Sequence, residues 1–207
     1  MAFLAHPVLS TVRGRGARHL AGFLGYLILA LPVPEAQGQD GQPWQAGQYS
    51  FSDELGGFHI RSVSGSGTKA DPIVVGEELD SADPVILTIR ARQLPINASE
   101  GILYLRIVTL NGSGHPWVDF LFELQSILDK PSDFGDGLSF DQIHAPSEFI
   151  ASDSFATYHR EIEPYDRLRF LDGHVDPLHR AAFDFLITDF NPKRIFYLLQ
   201  DPSIPAT

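Results

Sequence analysis

The amino-acid sequence predicts an all-β fold, an antiparallel β-sandwich of the jelly-roll or immunoglobulin-like kind. Three observations favour it. Short runs of residues alternate between apolar and polar side chains, as half-buried strands do. Segments rich in Gly, Pro, Asp and Asn separate these runs. No long stretch repeats apolar residues at the three- and four-residue spacing of an amphipathic helix.

The individual strands follow from this pattern. Residues 85–92 and 183–188 alternate most regularly, which is typical of strands with one exposed face. Residues 102–110 are apolar on both faces except at Arg106 and Thr109, so this strand is expected at the centre of a sheet. Further strands are expected at 58–63, 73–79, 117–124, 167–171 and 195–199.

Two alternatives compete with parts of this interpretation. Residues 120–128 are the best candidate for a helix, although their aromatic and β-branched side chains favour a strand. The segment 65–73 resembles a turn of a right-handed β-helix, which is the alternative fold. It occurs once, however, and a solenoid needs several repeats to bury its faces, so the sandwich is the preferred fold.

Composition excludes several classes of protein. The 207 residues carry a formal charge of −11. Because 43% of them are hydrophobic, the chain is too apolar to be disordered. Because cysteine is absent, disulfides, thiolate zinc sites and cysteine nucleophiles are excluded. The chain has no basic patch, and nucleic-acid binding needs clustered Lys and Arg, so we expect no nucleic-acid partner.

The first 38 residues have the parts of a secretory signal peptide. Arg13, Arg15 and Arg18 precede an apolar run at 20–31, and small residues follow near a cleavage site after Gly38. The apolar run has 12 residues and the span of a membrane needs about 20, so we expect cleavage and no stable membrane span. An uncleaved anchor is the alternative. Residues 39–50 are polar and rich in Gly and Gln, which indicates a flexible leader before a β-sandwich domain at 51–207.

Cleavage would leave a mature chain of 169 residues with 12 basic and 25 acidic side chains, near −13. A domain of this size buries enough apolar surface to fold without disulfides. Eukaryotic secreted domains commonly use disulfides, so an exported chain without cysteine favours a bacterial periplasmic or extracellular location.

Aromatic residues supply the candidate ligand-binding site. Trp117, Tyr104, Tyr158 and Tyr165 lie in or beside expected strands and could stack on sugar rings if they share an exposed sheet face. Aromatic side chains at alternating positions are more often buried in the core, which is the competing interpretation for each of them.

An acidic loop supplies the candidate metal site. Asp133, Asp136 and Asp141 surround glycines at close spacing, and calcium takes its oxygen ligands from such loops. The helix–loop–helix calcium pattern is not met, and Asp and Gly are also the commonest turn residues. Calcium is therefore the one cofactor considered, with a plain turn as the alternative.

Three segments, 117–124, 136–140 and 166–175, resemble a pattern in uncharacterised exported bacterial proteins with β-sandwich domains. The resemblance covers about the last 90 residues and implies fold and location rather than chemistry. Those proteins often carry a C-terminal sorting helix with a basic tail, whereas this chain ends with the residues 200–207, which lack both.

Together these features predict an exported, soluble β-sandwich that binds a protein or a glycan. The alternative is a carbohydrate-active enzyme that uses paired carboxylates in a concave, aromatic-lined cleft. Serine hydrolase chemistry is not indicated, since no Gly-x-Ser-x-Gly motif is present.

Overall fold

A computed structural model describes residues 43–93, 101–144 and 147–206, and within these ranges the chain forms thirteen strands. The strands are β1 (Trp44–Ala46), β2 (Tyr49–Ser52), β3 (Phe58–Ser64), β4 (Ile73–Leu79), β5 (Val85–Ala91), β6 (Ile102–Asn111), β7 (Asp119–Gln125), β8 (Leu138–Phe140), β9 (Ala151–Ser152), β10 (Phe155–Glu161), β11 (Arg167–Gly173), β12 (Arg180–Asp189) and β13 (Ile195–Ser203). A 3-10 turn, Phe134–Asp136, precedes β8.

The strands form two sheets that pack face to face. The first sheet has the order β1-β2-β5-β13-β7-β11-β10, and the second has the order β3-β4-β6-β12-β8, with β9 also pairing with β12. Neighbouring strands are antiparallel except β4 and β6, which run parallel from Ile73 opposite Leu105 to Leu79 opposite Asn111. The predicted β-sandwich is therefore confirmed. The β-helix alternative is wrong, because a solenoid would need parallel pairing throughout.

The expected strands are all present. Residues 102–110 were expected to form a central strand, and β6 is one. This strand lies between β4 and β12, and its side chains alternate between buried and half-buried along its whole length. The helix considered at 120–128 does not form. Residues 119–125 are instead strand β7, paired with β11 and β13, since Phe120 and Phe122 must point to the same buried face.

Part of the segment that the sequence indicated as a flexible leader is folded into strands. Within 39–50, residues 44–46 and 49–50 belong to β1 and β2, and β2 pairs with β5 from Tyr49 opposite Ala91. Ala46 and Tyr49 are buried, so the polar composition concealed a strand pair at the edge of the sheet. The predicted signal peptide at 1–38 and the residues 39–42 lie outside the described ranges.

Phenylalanine side chains hold the two sheets together. Phe183 on β12 is fully buried, and its ring contacts four rings of the opposite sheet. The ring centroids lie 4.7 Å from Phe120, 5.1 Å from Phe122, 5.0 Å from Phe170 and 5.8 Å from Phe155. Such pairs add about 0.5–1.5 kcal/mol each beyond the burial of apolar area.

A polar group lies within this apolar layer. Glu77 on β4 is fully buried, and Gln200 on β13 donates from Nε2 to Glu77 Oε2 at 3.1 Å, which links the two sheets. Glu77 Oε1, Gln200 Oε1 and Thr109 Oγ1 have no hydrogen-bond partner among the described residues. Burial raises the pKa of Glu77 to about 8, so the side chain is protonated in the folded state at neutral pH. The protonated carboxyl has a hydrogen to donate to Gln200 Oε1 or Thr109 Oγ1.

Replacing Phe183 with alanine is expected to cost about 3–5 kcal/mol in the free energy of unfolding, because four ring contacts are lost and a cavity remains. Equilibrium unfolding in guanidinium chloride measures this. Phe190→Ala is the matched control: this ring is 39% exposed, so its loss should change stability by about 0.5 kcal/mol. Equal effects of the two substitutions would contradict the central role of Phe183.

The stability of the protein should fall as the pH rises from about 4.5 to about 8. The pKa of Glu77 is higher in the folded chain than its ordinary value of 4.5, so the folded state holds an additional proton in this window. The free energy of unfolding then declines with pH and becomes level, for this group, above about pH 8. The total change is on the order of a few kcal/mol.

The measurement compares denaturant unfolding of the wild type, Glu77→Gln and Glu78→Gln across this range. An amide in place of the Glu77 carboxyl cannot ionise, so the slope that Glu77 contributes disappears in the first variant. Glu78 is partly exposed and bonded to Arg61 at 2.9 Å, so the wild-type slope should persist when it is replaced. Parallel stability curves for all three proteins would show that Glu77 does not titrate as described.

Candidate functional site

A cavity lies beside the pairing of β6 and β12 in the second sheet. Tyr104 on β6 is opposite Leu186, and Arg106 is opposite Asp184, so the side chains of Tyr104, Arg106 and Asp184 point away from the core. The cavity has a volume of about 240 Å³. We call it the Tyr104 pocket, and the residues that line it and carry its chemistry are Lys69, Tyr104, Glu148, Phe149 and Asp184.

Two aromatic rings form one wall of the Tyr104 pocket. The rings of Tyr104 and Phe149 meet edge to face, with centroids 5.0 Å apart and an angle of 87° between their planes. The ammonium group of Lys69 lies 4.4 Å from the centre of the Phe149 ring, within the range of a cation–π contact. The wall therefore joins apolar surface to a positive charge.

The loop that carries Lys69 depends on a glycine. Gly65 has φ of +95°, and a Cβ atom there would lie 2.0 Å from the carbonyl oxygen of Pro72. Other residues rarely adopt this backbone conformation, and none has room for its side chain. Backbone N–H groups of Ser66, Gly67 and Thr68 then donate to the carbonyl of Asp71, which closes the loop.

Two carboxylates line the Tyr104 pocket. Asp184 forms an ion pair with Arg106, with Nη1 and Oδ2 3.2 Å apart. Burial raises the pKa of Asp184, and the negative charge of Asp153 adds to this, although Arg106 opposes it. Glu148 is exposed and lies beside Phe149 in the sequence. The pocket thus offers hydrogen-bond acceptors on two sides of an aromatic wall.

A buried aspartate fixes the loop that supplies Glu148 and Phe149. Asp141 accepts from the ring Nδ1 of His144 at 2.8 Å and from the hydroxyl of Ser147, and it is fully buried with φ of +40°. Burial would raise the pKa of Asp141, but the hydrogen bonds from Ser147 and His144 lower it below its ordinary value. The charged carboxylate then holds His144, whose ring packs against Phe149 with centroids 5.4 Å apart.

The aromatic residues that the sequence nominated do not form one platform. Tyr104 lines the pocket, Tyr158 packs against the core beside Phe170, and Tyr165 is 41% exposed and stacks with Arg167. The prediction of a binding role for Trp117 is wrong. Its indole is fully buried and donates from Nε1 to Ser113 Oγ at 3.1 Å, since a large apolar ring gains most free energy between the sheets.

The three aspartates of the expected calcium site point to different partners. Asp133 and Asp136 lie at the 3-10 turn and accept backbone N–H groups of Gly135 and Leu138. The side chain of Asp141 is committed to its own loop. In the described ranges, no group of three or more His, Asp or Glu side chains is placed to hold a metal ion.

Most of the Tyr104 pocket could not be predicted from the sequence. Lys69 lies on one loop, and Glu148 and Phe149 lie on another that is far from it in the chain. Asp184 has the pattern of an ordinary polar residue on a regular strand. A charged residue at an alternating position and a lone aromatic residue in a polar loop are both common on ordinary surfaces. No signal short of the folded chain places them together.

Comparison of this chain with protein families, with curated proteins and with solved structures found no match. The resemblance to exported bacterial β-sandwich proteins therefore stays a prediction. Over the part of the chain that the structure describes, no helix has the length and apolar character needed to cross a membrane.

Proposed function

We propose that this protein is an exported β-sandwich module that binds carbohydrate in the Tyr104 pocket. The observation that carries the proposal is the meeting of an aromatic pair, an ammonium group and two carboxylates at one cavity beside the second sheet. Binding sites combine apolar walls with a few placed polar groups in this way.

The chemistry of a sugar fits these groups. A pyranose ring presents C–H groups on one face, which pack on aromatic surface, and hydroxyl groups around its edge. Carboxylates accept hydrogen bonds from the hydroxyl groups of the sugar, and the ammonium of Lys69 donates hydrogen bonds to the oxygens of these hydroxyl groups. Tyr104 and Phe149 therefore supply the apolar contact, while Glu148, Asp184 and Lys69 fix the orientation.

The size and charge of the pocket limit which sugars can bind. A volume of about 240 Å³ lies just below the roughly 300–1,000 Å³ of most ligand pockets, so it suits one sugar unit. Lys69 and the Arg106 that pairs with Asp184 offset its two carboxylates, so the pocket has no net charge to attract an ionised sugar. The chain as a whole carries a charge of −11, which repels acidic sugars. A neutral hexose unit of a glycan is the ligand that we propose.

Export is the second part of the proposal. It rests on the basic residues, apolar run and small residues of the first 38 positions, together with the absence of cysteine. A bacterial periplasmic or extracellular location would place the protein where glycans of neutral sugars are found.

Replacing Tyr104 with alanine should lower the affinity for glycans by about tenfold or more, because the apolar wall of the pocket is lost. A glycan array of neutral sugars identifies the ligand, and calorimetric titration with the best ligand gives the affinity. Tyr165→Ala is the matched control, since Tyr165 is exposed but does not line the pocket. The proposal fails if the wild type binds no glycan, or if both variants bind as well as the wild type.

A second candidate function is glycoside hydrolysis. Glu148 and Asp184 line the same aromatic-walled cavity, and the raised pKa of Asp184 is the property that a general acid needs. In such a mechanism Asp184 would protonate the oxygen of the leaving sugar. As the bond to the leaving oxygen breaks, Glu148 would either take a proton from the water that attacks the anomeric carbon or bond to that carbon itself, in an ester that water then hydrolyses.

Hydrolysis is checked by the release of reducing sugar from the glycans that bind. If Glu148 and Asp184 are catalytic, Glu148→Gln and Asp184→Asn should each lower the rate by a factor on the order of 10²–10⁴, while binding persists. Glu78→Gln serves as the control for loss of an acidic group elsewhere on the sheet. Binding without any release of sugar by the wild type would leave the protein a binding module.

A further inference from the structure

A second concave surface lies at the end of the sandwich where the chain leaves β7 and β12. It is a groove of about 570 Å³ between the 3-10 turn and the segment before β11. Its lining consists of Asp133, Phe134, Gly135, Glu163 and Pro164, and we call it the Phe134 groove. It shares no residue with the Tyr104 pocket.

The groove exposes an aromatic ring. The 3-10 turn projects Phe134 outward, and its side chain is 54% exposed although it lies beside a sheet rich in buried phenylalanines. Gly137 ends the turn with φ of +81°, and its carbonyl accepts from the backbone N–H of Phe190, another exposed ring. Exposed aromatic surface grouped at one end of a domain marks an interaction surface.

The charges of the groove are all negative. Asp133 and Glu163 are the ionisable groups in its lining, and neither forms an ion pair with another described residue. One oxygen of Asp133 accepts from the backbone N–H of Gly135 at 3.0 Å, which orients the carboxylate without neutralising it. The groove therefore combines an apolar floor with two uncompensated carboxylates.

A buried carboxyl group, that of Asp166, lies beneath the groove. Asp166, two residues after Pro164, is fully buried; Ser139 donates to one of its oxygens, and the other, Oδ2, has no hydrogen-bond partner among the described residues. Burial, together with the charges of Asp136 and Asp133, raises the pKa of Asp166 to about 7 against the hydrogen bond from Ser139. Asp166 is therefore only partly ionised at neutral pH, and the negative charge of the groove lies on Asp133 and Glu163.

The cations near the groove are engaged elsewhere: Arg167 pairs with Glu123, and Arg160 donates to the backbone carbonyl of Asp141 at 2.6 Å. The ammonium of Lys193 lies 3.5 Å from Asp189 Oδ1 and donates to the backbone carbonyl of Asp136 at 2.6 Å. It lies 3.9 Å from the carboxylate of Asp136. Lys193 therefore pairs with Asp136 and Asp189 and does not neutralise the two carboxylates that line the groove.

We propose that the Phe134 groove binds an arginine- or lysine-bearing segment of a protein partner. The cationic group would lie between Asp133 and Glu163, and the aliphatic part of its side chain would pack on Phe134 and Pro164. The same chemistry occurs within the chain next to the groove, where the guanidinium of Arg167 lies 4.9 Å from the centre of the Tyr165 ring. An aromatic ring and a carboxylate together hold a cation better than either does alone.

The negative charge of the groove favours a basic peptide over other binding partners. A second copy of this chain docked through the same surface would bring two sets of carboxylates together, at a cost in free energy. A nucleic acid or an anionic membrane would be repelled for the same reason. A basic peptide segment gains both the electrostatic and the apolar contribution.

Fluorescence anisotropy with a labelled oligoarginine peptide tests the proposal on the purified protein. Asp133→Asn combined with Glu163→Gln should weaken binding by about tenfold or more and lower its dependence on salt. Phe134→Ala should weaken binding several-fold, and that loss should remain at high salt because it is apolar. An alternating Gly–Glu peptide should not bind.

Matched controls lie at the opposite end of β12, where Asp176 and Leu178 are exposed. Asp176→Asn and Leu178→Ala remove one carboxylate and one apolar side chain there and should leave the affinity unchanged.

Equal losses of affinity in the groove variants and the control variants would show only a general attraction between an acidic protein and a cation, which overturns the proposal. A concentration-dependent dimer that Phe134→Ala abolishes would overturn it in favour of a second copy. Tyr104→Ala should retain peptide binding, so the groove and the sugar pocket can fail separately.

Discussion

The contact of Phe183 with four rings of the opposite sheet is the interaction on which the rest of the structure depends. A strand pair exposes one apolar face, and this face is stable only when another sheet covers it. Phe183 lies on β12, the partner of β6, β8 and β9, so the ring joins the centre of the second sheet to β7, β10 and β11 of the first. The outward side chains of Tyr104 on β6 and Asp184 on β12 line the Tyr104 pocket on the other face of this sheet.

Polar groups in and around the core have different effects on function. Glu77 and Gln200 link the sheets inside the apolar layer, where a protonated carboxyl costs less than a charged one. Asp141 is also buried, but hydrogen bonds from His144 and Ser147 keep it ionised, so it organises a loop instead of the core. The difference lies in the number of donors that each carboxylate meets, and only the donors around Asp141 connect to a candidate site.

Much of the fold was predictable, and the candidate sites largely were not. Alternation in β5, β6 and β12 is a local property, because neighbouring side chains in a strand point to opposite faces whatever the rest of the chain does. The strands β1 and β2 escaped prediction because they are short and lie next to the Gly- and Gln-rich residues 39–48, and their apolar side chains, such as Ala46, Tyr49 and Phe51, are buried only by the tertiary structure. Of the aromatic residues proposed for binding, Tyr104 lines a cavity and Trp117 is buried, since sequence alone does not tell which face of a strand or loop the ring occupies.

The sequence by itself determined the all-β class, the positions of the main strands, the acidic charge and the absence of cysteine chemistry, because these depend on composition and on short-range periodicity. Only the tertiary structure decided which side chains meet. Lys69, Glu148 and Asp184 come to one pocket from a loop before β4, a loop after β8 and the strand β12, and Asp133 meets Glu163 across the end of the sandwich. Such meetings depend on strand order and loop closure over long separations in the chain, which no local pattern records.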